Sequence, residues 1–480
     1  MSPNFERPES PLDAAIHNTP SLPVEIIDSI IQDVLKQISG KGRTHTSPIL
    51  SAIASTSHRF RIHANRHRFS TLRCPSVLHN ITLKQANKWM TSLTSVVRSH
   101  QALVKLAPSS TMMGSILDFT TDFGVWVIHT SDSESEASGA ADSESETSES
   151  VQCASEDWAF VLDNLFRAPS SLPSSSTANQ VYHFDFLINY FGSPGNVSWN
   201  TITPAVRESF LRLLRFSNIN KLSLCGIDSI PTSLLRGSGI KHLALRQIST
   251  VQPDADIIGV DQCNDACLPP QVESLQNNDG EAGCKASGPF PVPLAQLPCV
   301  LKLEAEMHGD QSVETLNDML KQTPNLVSLR IQNHLLVYPG NEAPIVRYSH
   351  LTNLRSLVIC CERANNMGYL PVPLRPCLQT PPPSLSEVYI RFKMGPKTLA
   401  SPENYLDEFG VDPELAVHLA HPCFRGVSRI VFDVELRRPV RCDPKDLDYH
   451  VRSWKLGIEE KMRALLEKRT GVDVVVTTTT

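Results

Sequence analysis

Near the start of the chain, apolar residues return every three or four positions. Ile26, Ile27, Ile30, Ile31, Val34, Leu35 and Ile38 draw a broad stripe along a helix, and Pro23 suits its first turn. Gly40 and Gly42 end it. Ser47-Pro48 offers an N-cap followed by proline, and Leu50, Ile53, Ala54 and Ser57 carry a second helix. A basic third segment, His58 to Arg68, brings Phe60, Ile62, Ala64 and Phe69. Farther on, the period changes to apolar-x-x-apolar-x-apolar. It recurs at Ile219/Leu222/Leu224, Ile240/Leu243/Leu245, Leu326/Leu329/Ile331, Leu354/Leu357/Ile359, Leu385/Val388/Ile390 and Val427/Ile430/Phe432. Phe123/Trp126/Ile128 and Val181/Phe184/Phe186 are earlier candidates.

With 41% hydrophobic residues, such a triplet arises by chance about thirty times in this chain, so context must decide. Asn325-Leu326-Val327-Ser328-Leu329 and Asn353-Leu354-Arg355-Ser356-Leu357 share Asn-Leu-x-Ser-Leu, 28 residues apart. Leu301/Leu303 stands another 28 before Leu329/Ile331, and Leu385-Ser386-Glu387-Val388 follows at 31. Helical stripes lie between these strands. Asp157 to Phe166 turns Trp158, Val161, Leu162, Leu165 and Phe166 to one side, with Ser155 as its cap. Thr203-Pro204 starts a helix with Val206, Phe210, Leu213 and Leu214, and Ser312 caps one with Val313, Leu316, Met319 and Leu320. The chain closes on a stripe of Ile458, Met462 and Leu465, a Gly471 break, and alternating Val472, Val474 and Val476. Strands alternating with helices predict an α/β architecture.

Four spans and two insertions follow from the pattern. Residues 1–20 are polar and proline-rich and read as disordered; 21–72 form a small helical domain; 73–114 form a helical linker; 115–476 form a repeat domain. Segments at about 129–153 and 250–293 break the periodicity and read as disordered insertions.

Composition narrows the function classes. The 480 residues hold no apolar run long enough to span a membrane, and the N-terminus lacks a signal-peptide pattern, so an intracellular place, cytoplasmic or nuclear, is expected. There the twelve cysteines should be reduced thiols. The net charge of -6 is local: residues 131 to 150 hold seven acids and no base. Nothing global argues for nucleic acid or a membrane surface as partner. In that acidic run Ser131, Ser133 and Ser143 each have a glutamate three residues on, which suits acidophilic kinases; a merely solubilising loop explains the same composition.

No phosphate-binding glycine loop, nucleophile elbow or His-Glu-x-x-His appears. Cys263, Cys267, Cys284 and Cys299 lack standard zinc spacing. Of the adjacent Cys360 and Cys361, one is expected in the core and one outside. The sequence thus calls for no catalytic residue, no metal and no cofactor, and an enzyme is not expected.

Residues 20 to 72 resemble the F-box. Leu22, Pro23, Glu25, Ile26, Ile30 and Ile31 match its start, Ile53-Ala54-Ser55-Thr56-Ser57-His58-Arg59-Phe60-Arg61 its middle and His67-Arg68-Phe69 its end. Residues 115 to 476 resemble the divergent leucine-rich repeats that follow F-boxes in many fungal proteins, whose period is 20–29 residues. The usual Asn or Cys after each strand is replaced by Ile227, Ile248, His334, Glu362 and Lys393. The resemblance implies an irregular α/β solenoid behind a helical F-box. It also implies a substrate-recognition adaptor of a Skp–cullin–F-box ubiquitin ligase. Leu22, Pro23, Ile26, Ile30, Leu50, Ile53 and Phe60 would dock a Skp-family adaptor, and the repeats would hold a protein substrate for ubiquitin transfer by proximity. Two departures motivate an alternative, a repeat scaffold with a degenerate F-box and no ligase role: Phe60 stands where tryptophan is common, and Lys36 to Thr46 is a long interhelical loop. A generic helical cap, a doubly wound α/β domain and an uncharacterised enzyme complete the readings.

Overall fold

The computed structural model describes residues 24–38, 43–56, 58–74, 83–106, 116–129, 146–166, 182–190, 197–216, 218–231, 233–248, 251–252, 270–278, 297–307, 310–333, 336–337, 346–348, 350–362, 370–371, 381–394, 406, 411, 413–437 and 443–479. Three helices come first: α1 (Val24–Ile38), α2 (Arg43–Thr56) and α3 (His58–Phe69). α2 begins before the expected Ser47-Pro48 cap and takes Pro48 inside. These helices share a small core of Ile27, Ile31, Leu50 and Ala64, with Ile53, Ala54 and Phe60 packed on it.

The rest is built on one twelve-stranded sheet. Its strands are β1 (Thr71–Arg73), β2 (Asp122–His129), β3 (Tyr182–Tyr190), β4 (Ile219–Cys225), β5 (His242–Arg246), β6 (Ser274–Asn278), β7 (Lys302–Met307), β8 (Ser328–Asn333), β9 (Ser356–Glu362), β10 (Glu387–Met394), β11 (Arg429–Arg437) and β12 (Val472–Thr479). Each strand lies parallel to its successor. The order never reverses, whereas a doubly wound sheet reverses at a switch point. The longer helices between strands are α4 (Leu83–Leu106), α5 (Glu146–Asn164), α6 (Pro204–Phe216), α7 (Asp310–Gln322), α8 (Pro413–Leu419), α9 (Pro444–Lys461) and α10 (Arg463–Lys468). Local chemistry starts α9: Asp443 accepts from the Lys445 N–H at 2.9 Å, and Pro444 fills the first turn.

The register aligns the apolar side chains into rows. One runs from Phe123 through Phe184, Leu222, Leu243, Leu275, Leu303, Leu329, Leu357 and Val388 to Ile430. Another runs from Val125 through Phe186, Leu224, Leu245, Asn277, Ala305, Ile331, Ile359 and Ile390 to Phe432. Every one of these residues is buried. Side chains two apart on a strand share a face, so both rows belong to one face, and the helices' apolar residues join them in a continuous core.

The approach to each strand also repeats. A buried residue accepts a backbone bond from the residue three further on: Leu297 from Val300, Thr323 from Leu326, Leu351 from Leu354, Pro382 from Leu385, and Phe424 from Val427. The carbonyl just before the strand then takes two N–H groups of the next repeat. Glu273, Leu301, Val327, Arg355 and Ser386 all do this. The same turn thus precedes β7, β8, β9, β10 and β11.

Several expectations differ from the structure. In β2 the register puts Phe123 and Val125, not Trp126 and Ile128, in the apolar rows. Thr120 takes the preceding position and satisfies its hydroxyl on the Ile116 carbonyl at 3.0 Å. Leu301 is exposed, and Leu303 is the partner of Leu329. The span of about 250–293 holds β6, whose Asn277 in an apolar row hid the pattern. α5 starts at Glu146, so Ser155 lies inside it, and the insertion of about 129–153 overlaps that helix. β1 opens the sheet at Thr71–Arg73, where the 21–72 and 73–114 spans meet, and within 73–114 Ala86, Met90, Leu93 and Val97 of α4 enter the main core.

Candidate functional site

Alternation leaves the sheet's second face to the residues between the apolar ones, which are mostly half-buried or exposed. On β7 to β12 this face is a lattice of opposite charges. Arg330 stands 3.5 Å from Glu304, Arg391 2.8 Å from Asp433, and Arg429 3.1 Å from Asp473 while it also donates to the Tyr389 hydroxyl at 3.0 Å. Cys360 lies on this face yet is buried, like Cys361, so both thiols are shielded.

The densest cluster is at the β1–β4 end. His183 and Asp185 flank the core residue Phe184, and Lys221 and Ser223 flank Leu222. His183 Nε2 lies 2.7 Å from Asp185 Oδ1, and its Nδ1 faces Asp122 Oδ1 at 3.6 Å. Arg73 closes the group, 2.8 Å from Asp122 and 3.7 Å from Asp185. The Arg73 guanidinium and the His183 ring thus interleave with two carboxylates. Burial pushes both carboxyls up, but His183 with Arg73 holds Asp122 below its ordinary value, and His183 with Ser223 does so for Asp185. Burial pulls His183 down, and Lys221 adds to that; Asp122 and Asp185 outweigh them and raise it.

This sets a pH dependence. An imidazole raised on folding stabilises the fold fully below its unfolded pKa of about 6.5. The contribution fades as pH rises through the folded-state value. The stability difference between wild type and His183→Gln should therefore shrink from pH 6 upward, on the order of 1 kcal/mol per unit of raised pKa. Urea midpoints across pH 6–9 measure it; a constant difference would refute the imidazolium.

Beside the cluster is a cavity of about 250 Å³ lined by Arg73, His183, Asp185, Lys221, Ser223 and Arg246 among others. Ser223 Oγ approaches His183 Nε2 at 3.4 Å. Asp185 already holds that nitrogen at 2.7 Å, closer than the serine oxygen. Burial pushes the Cys74 thiol in the cavity wall up to about 11, which removes a thiolate nucleophile. One donor atom each from Asp122, His183 and Asp185 lie within 4.8 Å of one another. The carboxylates, however, grip opposite ring nitrogens, and Arg73 takes the cation's place between them.

Sequence reasoning did not find this cluster, because its members are spread over four strands with long connections. The available signal was a polar residue on each side of a buried one, as in His183-Phe184-Asp185. The sequence-derived docking residues lie elsewhere. Leu22 and Pro23 fall outside the described residues, as do Ser131, Ser133 and Ser143. On α1, Ile26 and Ile30 are 45% and 41% exposed, whereas Ile27 and Ile31 are buried. Leu50 is buried in the small core, and Ile53 and Phe60 pack half-buried against it. Cys263, Cys267 and Cys284 also lie outside the described residues, and Cys299 is half-buried. Among the described residues no helix is long and apolar enough to cross a membrane. No model of a known protein family matches the chain, and no curated protein matches it either.

Proposed function

We propose that this protein is a substrate-recognition adaptor of a Skp–cullin–F-box ubiquitin ligase working inside the cell, with an F-box at α1–α3 and a leucine-rich-repeat-like solenoid behind it. The observation that carries the reading is the sheet itself. Parallel strands laid down strictly in sequence, with one face in the core and the other polar and accessible, suit a surface for another protein. The exposed Ile26 and Ile30, one helical turn apart on α1, supply an apolar contact for the adaptor, while Ile27, Ile31 and Leu50 hold the helices together.

The test is co-purification of the full chain with a Skp-family adaptor. Ile26→Asp with Ile30→Asp should weaken the complex by about a hundredfold or more, because two carboxylates would be buried in an apolar contact. Both side chains are exposed, so melting of the free protein should move little. If the folded wild type fails to bind any Skp-family adaptor, the ligase role falls, and the scaffold with a degenerate F-box takes its place.

A further inference from the structure

The cavity beside His183 brings together two cations that, among the described residues, lack the ion pairs the strand arginines make. Elsewhere the arginines sit opposite carboxylates. Here Lys221 on β4 and Arg246 on β5 are exposed, and among the described residues neither has a carboxylate partner. The register puts two small residues between them: Ser223 and Ala244 are paired on β4 and β5 and form a shallow floor, with Asp185 of β3 beside Ser223 and Gly124 of β2 beyond it. Lys221 stands on one side of that floor and Arg246 on the other, roughly 14 Å apart at their Cα atoms from strand geometry. Both long side chains can turn inward over Ser223 and meet a single anion.

We propose that this recess is an anchor site for an acidic side chain, glutamate or aspartate, in an extended segment of the partner protein. The assignment rests on the adaptor reading and names the chemistry its substrate must present. Three observations carry it. The cavity holds about 250 Å³, below the range of small-molecule sites but enough for the end of one side chain. Its free charges are two single cations, which a carboxylate and its hydration partners satisfy, with the Ser223 hydroxyl as a neutral donor. Asp185 also lines it and is ionised, so a doubly charged phosphoryl group would meet that carboxylate at close range. A carboxylate carries half that repulsion.

The experiment uses the full chain and a fluorescein-labelled pentaglutamate with a terminal amide, read by fluorescence anisotropy at low salt. Pentaglutamate should bind, and pentaglutamine should not. Lys221→Gln with Arg246→Gln should lower affinity at least tenfold, whereas Lys393→Gln on the same face should change it less than twofold. The charge-keeping pair Lys221→Arg with Arg246→Lys should retain binding, which separates lost charge from lost fold. Exchanging the central glutamate for phosphoserine should bring no gain. The proposal is overturned if wild type ignores pentaglutamate, if the double Gln variant binds as wild type does, or if the phosphoserine peptide binds tenfold tighter. Adaptor co-purification is a separate readout, so loss of peptide binding with the adaptor still bound removes this site alone.

Discussion

Gly471→Ala should release the last strand from the sheet. Gly471 has φ of +80°, a region costing an L-residue about 1–2 kcal/mol. A Cβ there would also stand 2.3 Å from the Ser428 carbonyl oxygen. That oxygen cannot yield cheaply. The Ser428 N–H is bonded to Ser386 in the repeated turn, and the Gly471 carbonyl accepts from Ile430 at 2.9 Å. The close approach is therefore part of the junction between β11 and β12. Arg469 shows how special the junction is. It occupies the place where other repeats put an apolar residue, and its guanidinium donates to the Leu419, Phe424 and Val427 carbonyls at 3.0, 2.6 and 2.6 Å. Strain plus displacement should cost on the order of 2–4 kcal/mol, concentrated on residues 472–479. Hydrogen exchange should show β12 amides losing protection while β8 and β9 keep theirs. Gly239→Ala is the control, since its Cβ would meet nothing closer than 3.9 Å. Unchanged β12 protection in Gly471→Ala would refute the argument.

That junction also shows where the sequence was readable. From Leu326 to Phe432 each apolar triplet marks a real strand, because two core residues per strand must be apolar and Asn-Leu-x-Ser-Leu pins the register. Asn325 donates to the Pro298 carbonyl at 2.9 Å, and Asn353 reaches Asn325 at 3.5 Å, so the repeated asparagine ties successive turns together. The signal fades where polar residues take core positions. Thr120, Asn277 and Arg469 each satisfy the geometry of a repeat while breaking its hydropathy pattern. The charged cluster left less trace still. Arg73, Asp122, His183 and Asp185 meet through strand register, which connections of variable length conceal. On α1 only packing separates the buried Ile27 and Ile31 from the exposed Ile26 and Ile30.

Phe184→Ala should destabilise the first third of the sheet by about 3–5 kcal/mol, the range for deleting a buried phenylalanine. Phe184 is fully buried, stacks on Phe123 at 5.9 Å, and meets Phe210 of α6 edge-on at 5.5 Å. Its neighbour Phe186 touches Trp158 and Phe210, and Phe210 touches Trp199. Such a cavity cannot close easily, because Phe123, Leu222 and α6 are fixed by different elements. A chain built of neighbouring repeats need not unfold as one unit, so the loss should stay at this end. Trp89, Trp158 and Trp199 all sit in the aromatic cluster, whereas Trp454 is buried in α9 at the far end. In urea the tryptophan emission of Phe184→Ala should therefore shift at lower concentration than the far-ultraviolet signal of the whole sheet. A single transition with coincident probes, displaced by less than about 1 kcal/mol, would show instead that the cluster is either plastic or coupled to every repeat. The same strand carries His183 and Asp185 on its other face, so the aromatic packing beneath them is what holds the charged cluster in register.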